Sequence, residues 1–304
     1  MGESDCSTMP ASNDAAESRA ENNGTAAVAV RTNGIGTTTK DLDLTSEKDC
    51  LMPRLLTLAG TSTSSSSKAS APPLRRKYRC LILDHDETCV ESTKRIHHPA
   101  HVACCKEILP EHTPIDLEGW FRVNHNPGVG EYLRGVFGDD PDVHKREMDI
   151  WHQFMRERDP AFYVGIIELL KVWRQLGGIV TVVSHSPEDV IKRHYEKLGK
   201  GFMPDRIWGW RDDPLERKPN AWPCEQIFKE FDVKPEKCIM IDDLSPGLNM
   251  AKKVAVKSMV AAWAHKSLVA GLIEACGAAG ALYSIDDLVN EVLEEVLPEE
   301  GENE

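Results

Sequence analysis

No phenylalanine, tryptophan or tyrosine occurs before Tyr78. The chain up to about residue 73 is rich in Ser, Thr, Asn, Ala and Gly, and such a composition buries too little apolar surface to offset its ordering entropy. Residues 1–73 are therefore expected to be a disordered tail. The run Thr61 to Ser67 followed by Ala71-Pro72-Pro73 reads as its linker. Only the stretch Leu51 to Leu58 carries a weak helical signal.

Long apolar runs are also missing. Nothing approaches the roughly 18 consecutive apolar residues of a membrane span. The N-terminus lacks the basic and then apolar regions of a signal peptide. It carries Glu3, Asp5, Asp14, Glu17 and Glu21, whereas transit peptides are poor in acids. A cytoplasmic location is expected. Positive charge is in short supply too: the formal net charge of −13 argues against nucleic acid or an anionic membrane as the main partner. The nine cysteines show no regular disulfide-type spacing, so they read as reduced and mostly buried thiols.

From Tyr78 onward strands and helices alternate. The first strand, about Arg79 to Asp84, contains the unbroken apolar run Leu81-Ile82-Leu83, the pattern of a parallel strand covered on both faces. It ends in Asp84-His85-Asp86-Glu87-Thr88. Roughly ninety residues with helical apolar spacing follow, including Val129, Tyr132, Leu133, Val136 and Phe137. Thr113-Pro114-Ile115-Asp116 reads as a helix start there, with Thr113 as N-cap and Pro114 in the first turn. Residues 93–159 are expected to form a small helical subdomain. A helix from Ile166 to Leu176 is stopped by Gly177-Gly178.

Further strands are expected at Ile179 to Val183, Arg206 to Trp210, Cys238 to Ile241, Met259 to Trp263 and Ala281 to Ser284. Ser186-Pro187-Glu188-Asp189 reads as an N-cap with first-turn acids, and a last helix runs from Asp286 to Val296, before an acidic tail over residues 298–304. Strand and helix in alternation imply an α/β fold, a doubly wound parallel sheet with right-handed crossovers. Its core would take in residues 74–92 and 160–297.

Polar residues recur just beyond the strands: Asp84, Asp86 and Thr88, then Ser184, Lys218, and Asp242 with Asp243. Parallel strands share one C-terminal edge, where ligands of open α/β sheets bind. Four carboxylates there would repel one another unless a cation neutralised them. Hard oxygen donors favour Mg2+, which commonly bridges carboxylates to a substrate phosphate. An EF-hand is excluded, because the sixth and twelfth positions counted from Asp84 are Cys89 and Arg95 rather than Gly and Glu. A zinc site from His97, His101, Cys104 and Cys105 is disfavoured, since adjacent cysteines on a helix point about 100° apart.

These four motifs in this order resemble the haloacid dehalogenase superfamily, over about residues 78–292. The resemblance implies a phosphatase in which Asp84 is the nucleophile that forms an aspartyl-phosphate, and Asp86 the acid and base. It implies that Ser184, His185 and Thr88 bind phosphate and that Lys218 steadies nucleophile and phosphate. Asp243, Asp84 and the Asp86 carbonyl would ligate Mg2+, with Asp242 in a secondary role and Gly247 standing where some members carry another acid. The inserted subdomain resembles the C1 cap of phosphoglycolate-phosphatase-like and phosphomutase-like members. Its loop Asn124-His125-Asn126-Pro127-Gly128 and the pair His97-His98 are candidates for leaving-group contact. The expected substrate is a small phosphorylated metabolite. A phosphomutase, a protein phosphatase and a non-catalytic binding module are the alternatives.

Overall fold

The computed structural model describes residues 51–58 and 72–296. The tail and most of the linker expected before residue 72, and the acidic C-terminus, lie outside the described residues. In chain order the elements are Met52–Leu58 (α1), Leu74–Arg76 (β1), Cys80–Leu83 (β2) and Val90–Glu91 (β3). A π-helical turn at Thr93–His97 leads into His98–Ile108 (α2), Leu117–His125 (α3), Val129–Phe137 (α4) and Pro141–Glu157 (α5). Then come Ala161–Phe162 (β4), Ile166–Gln175 (α6), Ile179–Val183 (β5), Glu188–Leu198 (α7), Arg206–Trp208 (β6) and Trp222–Phe231 (α8). The chain closes with Cys238–Asp242 (β7), Ser245–Lys253 (α9), Lys257–Ala261 (β8), Val269–Cys276 (α10), Ala281–Leu282 (β9), Ile285–Val292 (α11) and Leu293–Glu295 (β10).

Six strands form the central sheet in the order β6-β5-β2-β7-β8-β9, all parallel. β2 lies inside it, with Leu81 registered on Val180 and Ile239. Its alternate side chains enter different cores. Leu81 and Leu83 pack with Trp173, Tyr195 and Val289, while Cys80 and Ile82 pack with Ile227, Val233 and Met250. Burial on both faces is why the run carries no polar alternation.

Helices α2–α5 build a separate small core around Cys104, Cys105, Phe137 and Ile150. The Trp120 ring stacks 4.8 Å from His101 and lies 5.5 Å from Trp151. Two short strands join this insert to the sheet: β3 pairs antiparallel with β4, bringing Val90 opposite Phe162. Among the described residues no helix is long and apolar enough to cross a membrane.

Several local expectations need correction. The helix expected to start at Thr113 starts at Leu117, because the Asp116 carboxylate accepts from the Gly119 N–H at 2.7 Å and is the stronger cap. Ser186 does not cap α7. Pro187 holds the extended cap position, and the Ser186 hydroxyl is engaged elsewhere. The last helix ends at Val292 rather than Val296. Residues 293–295 instead pair antiparallel with β1, with Leu293 buried and Glu294 bridged to Arg75 at 2.8 Å.

The expected tail also contains a folded piece. Helix α1 places Leu55, fully buried, in the main core, and Arg54 pairs with Glu295. Leu55→Ala in the full chain should therefore cost about 2–5 kcal/mol in unfolding free energy. Urea unfolding followed by tryptophan fluorescence reads this directly, and an unchanged midpoint would show that α1 contributes nothing to the core.

Candidate active site

The C-terminal edge of the sheet gathers the polar strand ends. The Asp84 N–H continues the ladder onto the Ile241 carbonyl at 2.9 Å, and the chain then turns sharply through Glu87, whose φ is +55°. Two N–H groups, from Cys89 and Val90, donate to the His85 carbonyl and close this turn. The Glu87 side chain is buried beneath it, accepting from the Thr93 N–H at 2.6 Å and the Tyr163 hydroxyl at 2.8 Å.

Lys218 arrives from the loop beyond β6 and is 6% exposed. Its ammonium donates to Asp84 Oδ1 at 2.6 Å and to Asp242 Oδ2 at 2.8 Å. Asp242 Oδ1 accepts from the Leu244 N–H at 2.8 Å. Asp243, beside it, faces Thr88 Oγ1 at 3.4 Å and His265 Nε2 at 3.1 Å. Carboxylate oxygens of Asp84, Asp242 and Asp243 all lie within 4.8 Å of one another. Among the described residues this is the grouping able to hold a metal ion.

Burial and mutual repulsion act on the three acids. Burial, opposed by Lys218 and assisted by Asp242 and Asp86, pushes Asp84 up to about 7. Burial likewise raises Asp242 to about 6, against the pull of Lys218. Asp243 is driven well above the carboxylate range by burial and by the charges of Asp84 and Glu87. Burial opposes the Lys218 charge, yet Asp242 and Asp84 raise its pKa. One ammonium thus faces three buried carboxylates, which leaves the cluster short of positive charge.

Asp86 belongs to a different group. Its Oδ1 meets His97 Nε2 at 3.2 Å, and its Oδ2 accepts from Ser186 Oγ at 2.6 Å and Ser184 Oγ at 3.3 Å. Burial alone would raise its pKa, but the His97 hydrogen bond and charge, with Ser186, hold it well below the carboxylate range. The Asp86 side chain is thus held by His97, Ser184 and Ser186, apart from the acids around Lys218. His97 is stacked against Trp151 of α5, with ring centroids 5.9 Å apart.

Other expected contacts fall differently. Thr88 is fully buried, and its hydroxyl faces Asp243. His185 is exposed and edge-on to Trp210, and its Nε2 donates to the Lys218 carbonyl at 2.9 Å, so its side chain secures the lysine loop. The ring of His98 bonds the Ile115 carbonyl at 2.9 Å inside the insert, and His97 holds Asp86. Cys104, Cys105 and His101 pack in the insert, with the His101 ring against Trp120.

Sequence reasoning missed Ser186, His265 and the role of His97. Ser186 sits two residues past Ser184, on the same side of an extended turn. His265 lies just beyond β8, so the search for polar residues past each strand end, continued to the fifth strand, would have found it. No local signal marks the buried contact of His85 Nε2 with His194 Nδ1 at 3.0 Å, which props the turn after β2 from α7.

The same fold occurs in known proteins. A relative named phosphoglycolate phosphatase from Aquifex aeolicus (strain VF5) is 22% identical over 193 residues, covering 62% of this chain and 87% of that one. A solved predicted phosphoglycolate phosphatase from Haemophilus somnus 129PT matches with a TM-score of 0.59 and 14% identity, over 70% of this chain and 97% of that one. CbbY from Rhodobacter sphaeroides, in complex with xylulose-(1,5)bisphosphate, matches with a TM-score of 0.54 and 19% identity, over 69% and 96%. A family model described as haloacid dehalogenase-like hydrolase matches residues 81–261, from β2 through β8, and the chain belongs to that family of hydrolases.

Proposed function

We propose that the chain is a Mg2+-dependent phosphatase that hydrolyses a small phosphomonoester through an aspartyl-phosphate on Asp84. The buried cluster of Asp84, Asp242 and Asp243 around Lys218 carries this reading, because it pairs a positioned carboxylate with a deficit of positive charge. The names of the relatives, phosphoglycolate phosphatase and a protein bound to xylulose bisphosphate, support a small phosphorylated metabolite as substrate.

The donor set fits a hard divalent cation. All three side chains offer oxygen, none offers sulfur, and they are nearly inaccessible to bulk water. Asp84, Asp243 and the Asp86 carbonyl would hold the ion, with Asp242 at hand. Bound there, it would neutralise carboxylate charge and that of the phosphoryl oxygens. Gly247 belongs to this arrangement: a Cβ there would lie 1.9 Å from Asp242 Oδ2. The missing side chain is what makes room for the Asp242 carboxylate.

In the reaction the Asp84 carboxylate attacks phosphorus while Lys218 holds its Oδ1. The His97–Asp86 pair carries the proton that the departing oxygen takes up, and Asp86 then removes a proton from the water that hydrolyses the acyl phosphate. Ser184 aligns Asp86 and presents its hydroxyl toward the phosphate. Residues 93–159 act as a cap that excludes water and selects the substrate.

Asp84→Asn should reduce phosphate release from p-nitrophenyl phosphate by more than about 1,000-fold without unfolding the chain. Chelation with EDTA should stop the wild-type enzyme, and Mg2+ should restore it; metal-independent turnover would sink the reading. Gly247→Ala, which displaces Asp242, should lower kcat by about 10- to 100-fold. An unchanged kcat would show that the Asp242 position is immaterial.

The His97–Asp86 pair also predicts a pH dependence. Burial opposes protonation of His97, but Asp86 raises its pKa above the usual value, so the pair stabilises the fold fully below about pH 6.5. That contribution is lost as pH rises through the raised value. The difference in unfolding free energy between wild type and His97→Gln should accordingly shrink as pH rises above about 6.5. A constant difference would show that the pair is not ionic.

A further inference from the structure

The insert meets the acidic cluster through two histidines. His265 lies beyond β8 and is 7% exposed. On its core side, Nε2 faces Asp243 Oδ2 at 3.1 Å. On its other side, Nδ1 faces His125 Nε2 at 3.0 Å. His125 is the last residue of α3, and Phe121, one helical turn earlier, places its ring 4.9 Å from that of His265. Trp120 of the same helix points the other way, into the core of the insert. Helix α3 therefore has one face built into the insert and one face gripping a single core side chain.

The hydrogen-bond roles in this chain follow from its ends. With a cation bound, Asp243 is ionised and can only accept, so His265 Nε2 carries the proton and Nδ1 is left as an acceptor. His125 Nε2 must then be the donor. His125 is neutral, since burial and the neighbouring His265 push it down to about 4. Its own Nδ1 is buried without a partner among the described residues. All donations thus run from the insert toward the acidic cluster, and His125 is tied to the core on one side only.

We propose that His125 and His265 form a latch, in which the seated insert fixes the imidazole that orients Asp243, so that divalent-cation binding and seating of the insert favour each other. This rests on the reading of Asp84, Asp242 and Asp243 as a metal site. His265 is a positioning residue: it touches the ligating carboxylate and neither the substrate nor the reacting atoms. Partners of this kind keep a ligand's ring or carboxylate in one orientation, and their loss costs metal affinity. His125 acts one step further out and makes that orientation depend on the insert. Because linkage is reciprocal, the cation in turn holds the insert down.

Mn2+ binding to the full chain, followed by electron paramagnetic resonance of the free ion, tests this without requiring turnover. His265→Ala should weaken Mn2+ binding by about tenfold or more, and His265→Gln, which can still donate to Asp243, should recover most of the loss. His125→Ala touches no ligand, yet it should weaken binding by about 3- to 10-fold, with His125→Gln restoring it. Reciprocally, Mn2+ should slow proteolysis within residues 98–157 in the wild type and not in His125→Ala. Near-UV circular dichroism confirms that each variant is folded. Wild-type Mn2+ affinity in folded His125→Ala would overturn the latch alone. A wild-type chain that binds no Mn2+ would overturn the metal site and the latch with it.

Discussion

One buried ammonium carries the arrangement of the polar edge of the sheet. Lys218 is the only cation in hydrogen-bond contact with the carboxylates of Asp84 and Asp242 among the described residues, and a third acid, Asp243, lies within the same few ångströms. Moving such charges out of water is costly unless each is paired and hydrogen-bonded. The pairing therefore dictates what surrounds it. Adjacent strands β2 and β7 set the spacing of the two acids, while His185 holds the lysine loop by its backbone. Gly247 leaves the volume that the second carboxylate occupies. The remaining negative charge is what makes the cluster compatible with a divalent cation.

Asp84 and Asp86 are separated by one residue, yet they serve different electrostatic systems. The turn closed on the His85 carbonyl sends the first carboxylate to Lys218 and the second to His97, Ser184 and Ser186. Burial raises the first, whereas hydrogen bonds and a neighbouring imidazole keep the second ionised.

The helical insert reaches both systems. Trp151 backs the histidine that holds Asp86, and His125 with Phe121 grips the histidine that holds Asp243. The insert is therefore joined to the chemistry by ring contacts as well as by the β3–β4 ribbon that connects it to the sheet. At another margin of the core, β10 pairs with β1 and α1 lays Leu55 into the interior. These last pieces join the two ends of the described chain to the core.

The sequence by itself determined the sheet, its order of motifs and the acids at its edge. Unbroken apolar runs such as Leu81-Ile82-Leu83 and Ile179 to Val183 are strands wherever both faces are covered, and parallel strands place their following residues at one edge. Asp84, Ser184, Lys218, Asp242 and Asp243 were legible for that reason. Local pattern failed where a stronger partner lay far along the chain. Ser186 reads as a helix cap until Asp86, 100 residues away, takes its hydroxyl. Residues 293–295 read as helix until Arg75 and Arg76 offer a strand to pair with. Which carboxylate meets Lys218, which meets His97, and that His125 comes to rest on His265 were decided only by the tertiary structure. Hydrogen bonds of 3 Å between residues separated by 11 to 140 positions leave no mark on local periodicity.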